Sequence, residues 1–358
     1  AEYRTLQNDQ RFLAKRLEKI RELPATSADG VEVTLYTNTG LLADMSPGIF
    51  NGAQGVGLYR TEIPFMIRTS FPSEEEQVAV YTQVLAAYRG KPVHMRTLDV
   101  GGDKPLPYFP VENEANPALG WRGIRFTLDN SQLLMTQLRA MIRAGSEPGN
   151  LRILIPMVSS TGELDSFREL LDDALTQLRA EGFEVKRPPL GVMVEVPAAI
   201  SQIPLWSGKL DFISIGSNDL SQYLLALDRN NPRVAVRYDH VHPAVLLEID
   251  RILRSAAAHN IPVSLCGEMA SDPVAVVLLL GLGLRTLSMS ATRIPQIKWL
   301  IRTLTLDTAE QLSREALTCG YPADIRARVG EVLQAAGLGE LVNHNTHADG
   351  DSLIAGAK

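Results

Sequence analysis

Cysteine is scarce in this chain of 358 residues, with Cys266 and Cys319 the only two. Two thiols give no disulfide framework, and their scarcity points to a reducing, cytoplasmic setting. Charge of one sign is lacking as well: 35 basic and 41 acidic residues leave a net charge of -6, with no general attraction for nucleic acid or an anionic membrane. No apolar run approaches the ~20 uninterrupted residues of a membrane helix, and the start, AEYRTLQNDQ, is too polar for a secretion signal. Any anion site must therefore be local.

What is present is alternation. Residues 1–26 read as a connector helix, with Leu6, Phe12, Leu13, Leu17, Ile20 and Leu23 at helical spacing before Pro24. Short apolar runs then recur at Val31–Tyr36, Gly55–Tyr59, Pro92–Leu98, Leu151–Pro156, Leu190–Val196, Leu210–Ile215, Ile261–Leu265 and Thr286–Met289. Between them Ser73–Tyr88, Gln132–Ala144, Gly162–Ala180, Pro243–His259 and Asp272–Leu280 carry helical periodicity. Such alternation predicts a parallel sheet, and this number of runs favours a closed (β/α)8 TIM-type barrel over an open sheet. The barrel with its C-terminal helices is expected over 27–340, with helical pattern continuing from Ile294 to about Leu338 and a flexible tail over 341–358.

In such a barrel the working residues gather where strands end. Arg60 and Glu62 follow the second run, Arg96, Asp99 and Lys104 the third, Glu195 the fifth, Asn218 and Asp219 the sixth, and Cys266 the seventh. Arg60 and Arg96, on neighbouring strands, suit an anion clamp, because the planar guanidinium holds phosphate or carboxylate through paired hydrogen bonds. A structural ion pair with Glu62 or Asp99 is the alternative. Glu195 and Asp219 are one strand–helix unit apart, close enough to share a hard cation such as Mg2+ whose shell substrate phosphate would complete. Each acid alone could instead cap a helix or close a salt bridge. Arg229 ends the following helical segment, either returning to the same pocket or pairing with the helix dipole. Cys266 is either a buried small hydrophobe or a proton donor at the mouth. Cys319 reads as structural. None of the 6 histidines lies in a loop suited to carrying a phosphoryl group, and His240 with His242 lacks a third ligand.

Gly57–Glu62, Arg96–Lys104, Gly120–Arg125, Val194–Ala198, Gly216–Tyr223 and Cys266–Glu268 resemble, in order, the phosphoenolpyruvate-utilising barrel of enzyme I of the bacterial phosphotransferase system. That superfamily also includes pyruvate phosphate dikinase and phosphoenolpyruvate synthase. Asp228–Asn231 and Tyr238–Ala244 look most like the nitrogen-related paralogue. The resemblance implies that Arg60, Arg96, Lys104 and Arg122 hold the phosphoryl group and that Arg229 and the backbone around Asn218 hold the carboxylate. It further implies that Glu195 and Asp219 bind Mg2+ and that Cys266 protonates the enolate. Phosphoryl would pass from phosphoenolpyruvate to a histidine of a separate phosphohistidine domain, releasing pyruvate, and thence to a downstream phosphocarrier. A homodimer is implied as well. No phosphohistidine or GAF domain is read ahead of the connector, so the chain is expected to be an isolated C-terminal half. The rival readings are a dikinase or synthase barrel, and a phosphoenolpyruvate-sensing dimerisation module.

Overall fold

The computed structural model describes residues 15–102, 104–109 and 114–342. Most of the expected connector helix and nearly all of the expected tail, with His344 and His347, lie outside the described residues. Of the described part of the connector, 15–26, only 15–20 is helical; the helix ends in a turn where Leu23 N–H bonds Ile20 C=O, short of the expected end at Leu23.

Eight strands close into one barrel in sequence order: β1 (Thr34–Thr39), β2 (Val56–Arg60), β3 (Val93–Arg96), β4 (Leu151–Ile155), β5 (Leu190–Val194), β6 (Phe212–Gly216), β7 (Val263–Cys266) and β8 (Thr286–Met289). Every pairing is parallel, including the closing β1–β8 pair. The runs are apolar because both faces of the sheet are covered. Outward residues such as Ile153, Ile155, Val192 and Val194 join the large core beneath the helices, whereas Leu58, Leu154, Met193, Phe212 and Cys266 form a separate cluster. Their alternation with the outward set places that second cluster inside the barrel. The barrel is thus a packed plug whose interior turns polar toward the strand ends.

Helix starts follow local chemistry. Ser73 and Glu76 form a capping box for Glu74–Ala87, and Ser160 with Glu163 does the same for Thr161–Ala180. Pro243, Pro273 and Pro322 each open a helix where the missing N–H costs nothing. An aromatic satellite core of Phe65, Leu98, Val100, Leu106 and Phe126, with Phe109 and Trp121 packed against it, supports the long connection after β3. Among the described residues no helix is long and apolar enough to cross a membrane.

One expectation needs correction. β1 begins three residues later than the apolar run, because Val31 N–H bonds Ser27 Oγ and Val33 N–H bonds Ala25 C=O in a short antiparallel turn, bridged at Thr26 and Glu32, before the barrel begins. The expected C-terminal helices number three, Ile294–Thr303, Leu306–Leu317 and Pro322–Ala335. Leu304 and Thr305 are extended and Thr305 caps the second helix through Thr308 N–H. Gly320 and Pro322 mark the second break.

Candidate functional site

β2 and β3 pair through Arg60 and Arg96 at their last register position, so both guanidinium groups start from one rim. Their surroundings differ. Arg60 is exposed and has no ion-pair partner among the described residues. Arg96 is buried, donating from Nη2 to Glu62 Oε1 and lying 3.2 Å from Asp99 Oδ2 through Nη1. The ion-pair reading therefore holds for Arg96, yet its Nε is buried without an acceptor among the described residues.

Asp99 is the hub. It is fully buried and meets Lys104 Nζ at 2.5 Å and Arg122 Nη2 at 3.1 Å as well as Arg96. Burial raises its carboxyl pKa, but Arg96, Lys104 and Arg122 outweigh that and hold it far below the usual carboxylate range. Arg122 reaches across the mouth to Asp219 Oδ1 at 3.5 Å, and Arg229 Nη2 meets the same oxygen at 3.4 Å. Arg229 thus returns to the pocket, and its Nη1 is a second buried donor with no acceptor. Asp219 does not cap its helix: Ser217–Leu225 begins after Gly216, and the carboxylate faces the two arginines instead.

Glu195 follows β5 and is 1% exposed. Oε1 accepts from Met157 N–H at 2.7 Å, the backbone there being turned into the left-handed region at φ 60. Its pKa is pushed up to about 8 by burial, then by Asp219 and Asp99, against the opposing pull of Arg96 and Arg122. Gly216 makes room for it, since a Cβ there would stand 2.7 Å from Glu195 Oε2. A buried carboxylate whose charge is this poorly compensated, beside a second acid, fits a hard divalent cation, which takes one or two carboxylates and fills its shell with water and phosphate oxygen. Glu195 and Asp219 would hold it.

Cys266 lies at the end of β7, 3% exposed, inside the barrel. Ser214 O–H donates to Sγ at 3.4 Å, and Sγ faces Ile215 C=O at 3.6 Å. Burial raises its pKa, with a further push from Glu195, while Ser214, Arg96 and Arg60 pull it down. The buried-hydrophobe reading holds, since Cys266 is a core side chain, and it also lies within the electrostatic reach of Arg60, Arg96 and Glu195. Gly267 after it has φ 127 and passes so close to Ser217 that a Cβ would come within 2.3 Å of its Oγ. Asn218 completes the mouth, accepting from Glu268 N–H at 3.0 Å through Oδ1.

All nine expected site residues are therefore gathered at the carboxyl ends of β2, β3, β5, β6 and β7 or in the loops beyond them. Sequence reasoning did not find Met157 N–H, Ser214 or Gln137. Gln137 is 2% exposed; its amide accepts from Leu98 N–H at 2.9 Å and donates to Thr61 Oγ1 and Tyr81 OH, both at 3.1 Å. It steadies the strand ends that carry the arginines. An amide on the apolar stripe Leu134, Leu138, Met141 was the available signal.

Fold and mouth together define an α/β barrel with a densely charged C-terminal rim. The family model described as the PEP-utilising enzyme, PEP-binding domain matches residues 14–306, and the chain belongs to that family. It is 44% identical over 342 residues to an Escherichia coli protein named "Phosphoenolpyruvate-dependent phosphotransferase system", covering 95% of this chain and 46% of that one. It is 42% identical over 323 residues to the phosphoenolpyruvate-protein phosphotransferase of Staphylococcus carnosus, covering 90% of this chain and 56% of the relative. The chain thus spans about half the length of the curated relatives it matches. Among solved structures, a HpcH/HpaI aldolase/citrate lyase family protein from Burkholderia cenocepacia is 14% identical, with a TM-score of 0.45 over 84% of this chain and 97% of that one.

Proposed function

We propose that this barrel binds phosphoenolpyruvate with Mg2+ and delivers its phosphoryl group to a histidine of a separate phosphohistidine domain, releasing pyruvate. The observation that carries the reading is that, among the described residues, Arg96 Nε and Arg229 Nη1 are buried donors without acceptors. They belong to arginines that flank the carboxylates Glu195 and Asp219. Buried donors are normally satisfied, and a ligand carrying both a phosphoryl group and a carboxylate would supply acceptors for them. The cation, when bound, supplies positive charge against the phosphoryl and bridging oxygens.

The chain's own groups then divide the work. Arg60, Arg96, Lys104 and Arg122 orient the phosphoryl group, while Arg229 and the backbone around Asn218 take the carboxylate. Arg60, Arg96, Lys104, Arg122 and Arg229 set fixed donors of positive charge around the mouth, which suits an anion. As the bond from phosphorus to the bridging oxygen breaks and the bond to the incoming histidine nitrogen forms, negative charge passes to the enolate. These fixed cations stabilise it without reorganising. Cys266 Sγ–H gives its proton to C3 of the enolate, yielding pyruvate, and the thiolate recovers a proton from solvent. Its raised pKa keeps that proton in place at neutral pH.

Placement in the nitrogen-related branch, supported by Asp228–Asn231 and Tyr238–Ala244, belongs to the same proposal, as do a downstream phosphocarrier, a cytoplasmic setting and a homodimer. Exposed Met66, Ile67 and Leu119 supply apolar surface for the homodimer. Calorimetric titration with phosphoenolpyruvate, with and without Mg2+, tests the central claim. Binding that strengthens with Mg2+ is expected; no binding at millimolar ligand in either condition refutes it.

A further inference from the structure

Helix Pro322–Ala335 lies beyond the family match at 14–306, yet one of its side chains returns to the loops of the mouth. Arg326 donates from Nε and Nη2 to the two oxygens of Asp239 at 2.8 and 2.7 Å, and from Nη1 to Asp272 Oδ2 at 2.8 Å. Asp272 Oδ2 also meets His240 Nε2 at 2.8 Å, and Oδ1 accepts from Val274 N–H at 2.9 Å, capping helix Pro273–Gly281.

The two aspartates belong to different loops. Asp239 ends the connection after β6 that carries Arg229, and its neighbour Tyr238 donates through its hydroxyl to Asn218 C=O at 3.2 Å. Asp272 ends the turn after β7, in which Glu268 N–H donates to Asn218 Oδ1 at 3.0 Å. One guanidinium therefore fastens both loops that grip Asn218. Its planar fork suits the task, being bidentate on one carboxylate with a third donor left for the other. The Arg326 side chain is 36% exposed, so directed hydrogen bonding counts for more here than screened charge attraction.

We infer that Arg326 is a positioning residue, holding the β6 and β7 loops against Asn218 and Arg229 and thereby setting the affinity of the mouth for the carboxylate end of its substrate. This rests on the reading of the mouth as a phosphoenolpyruvate site. The test compares the chain with Arg326→Gln, Arg326→Lys and, as a control, Arg314→Gln, whose guanidinium is 68% exposed and 3.8 Å from Glu310. Limited trypsin cleavage at Arg229, Arg233 and Arg237 reads loop opening without ligand, calorimetry with phosphoenolpyruvate and Mg2+ reads affinity, and thermal unfolding reads the fold.

Arg326→Gln should be cleaved in this loop about tenfold faster and bind about tenfold more weakly, at a melting temperature close to that of the unaltered chain. Lysine, a point charge, should restore only part of both, and Arg314→Gln should change neither. Unchanged cleavage overturns the clamp. Faster cleavage with unchanged affinity overturns the positioning role, as does a melting temperature far below that of the unaltered chain, which would make Arg326 a general stabiliser. If the unaltered chain binds no phosphoenolpyruvate, the proposed function fails, and cleavage alone still decides whether Arg326 closes the loops.

Discussion

Glu195→Gln sets folding against function at a single atom pair. Glu195 has its pKa pushed up to about 8, whereas its ordinary value is 4.5. An acid with a raised native pKa costs nothing below its unfolded value; the cost then grows with pH and levels off once the native value is passed. At pH 7, roughly 2.5 pH units at 1.36 kcal/mol each give a penalty of about 3 kcal/mol. Glutamine keeps the shape and an acceptor for Met157 N–H but carries no charge. In the absence of divalent cation the variant should therefore melt higher at pH 7, by about 4 °C for a chain of this length. The gap should nearly close at pH 4.5 and reach its plateau above about pH 8. With Mg2+ and phosphoenolpyruvate at roughly a thousand times Kd, the unaltered chain should gain about 4.1 kcal/mol and the variant little, reversing the order. Calorimetric melting across that pH range, with chelator and then with ligands, makes the comparison. A variant that melts lower at pH 7 without cation, or a gap that ignores pH, would refute the reasoning.

Cys266→Ala should bind phosphoenolpyruvate normally yet release pyruvate at least about a hundredfold more slowly when the phosphohistidine domain is supplied; undiminished turnover in a pyruvate assay removes the thiol from the mechanism. Gln137→Leu leaves the Leu98 N–H, Thr61 and Tyr81 groups short of partners and should cost about 3 kcal/mol. That loss would be read as a lower urea midpoint at unchanged slope, and a loss under about 1 kcal/mol counts against it. The Asp272 carboxyl is held at about 2 because His240 and Arg326 outweigh its burial. Its contribution of about 2 kcal/mol should be complete above the ordinary carboxylate value and disappear as pH falls through about 2. Asp272→Asn should accordingly destabilise the chain at pH 7 but not at pH 2 in paired denaturant titrations.

The barrel was legible because its physics is local. Thr286–Met289 was read to the residue, and the helices after β4 and β6 were recognisable from capping serine or proline beside a periodic stripe. β1 was misplaced because Val31 and Val33 have the composition of a strand while serving a short antiparallel turn. Periodicity alone does not place the breaks between the C-terminal helices, because helical period survives a two-residue interruption, although Gly320 and Pro322 mark one of them. At the site, the strand-end rule located Arg60, Arg96, Glu195, Asp219 and Cys266. It could not say that Glu62 and Asp99 occupy Arg96 while Arg60 has no ion-pair partner among the described residues, because which carboxylate a guanidinium meets depends on loop geometry that no spacing encodes. Arg326 was beyond reach for the same reason, lying 87 residues from Asp239 and 54 from Asp272.

The two thiols have opposite settings. Cys266 is sealed within the strands at 3% exposure, whereas Cys319 lines a cavity of about 190 Å3 between Leu306–Leu317 and Pro322–Ala335 and is part-exposed. A bulky maleimide applied to the folded chain should therefore attach one dye, at Cys319, beside the helix that carries Arg326. The appearance of a second adduct by mass spectrometry would then time the opening of the barrel itself.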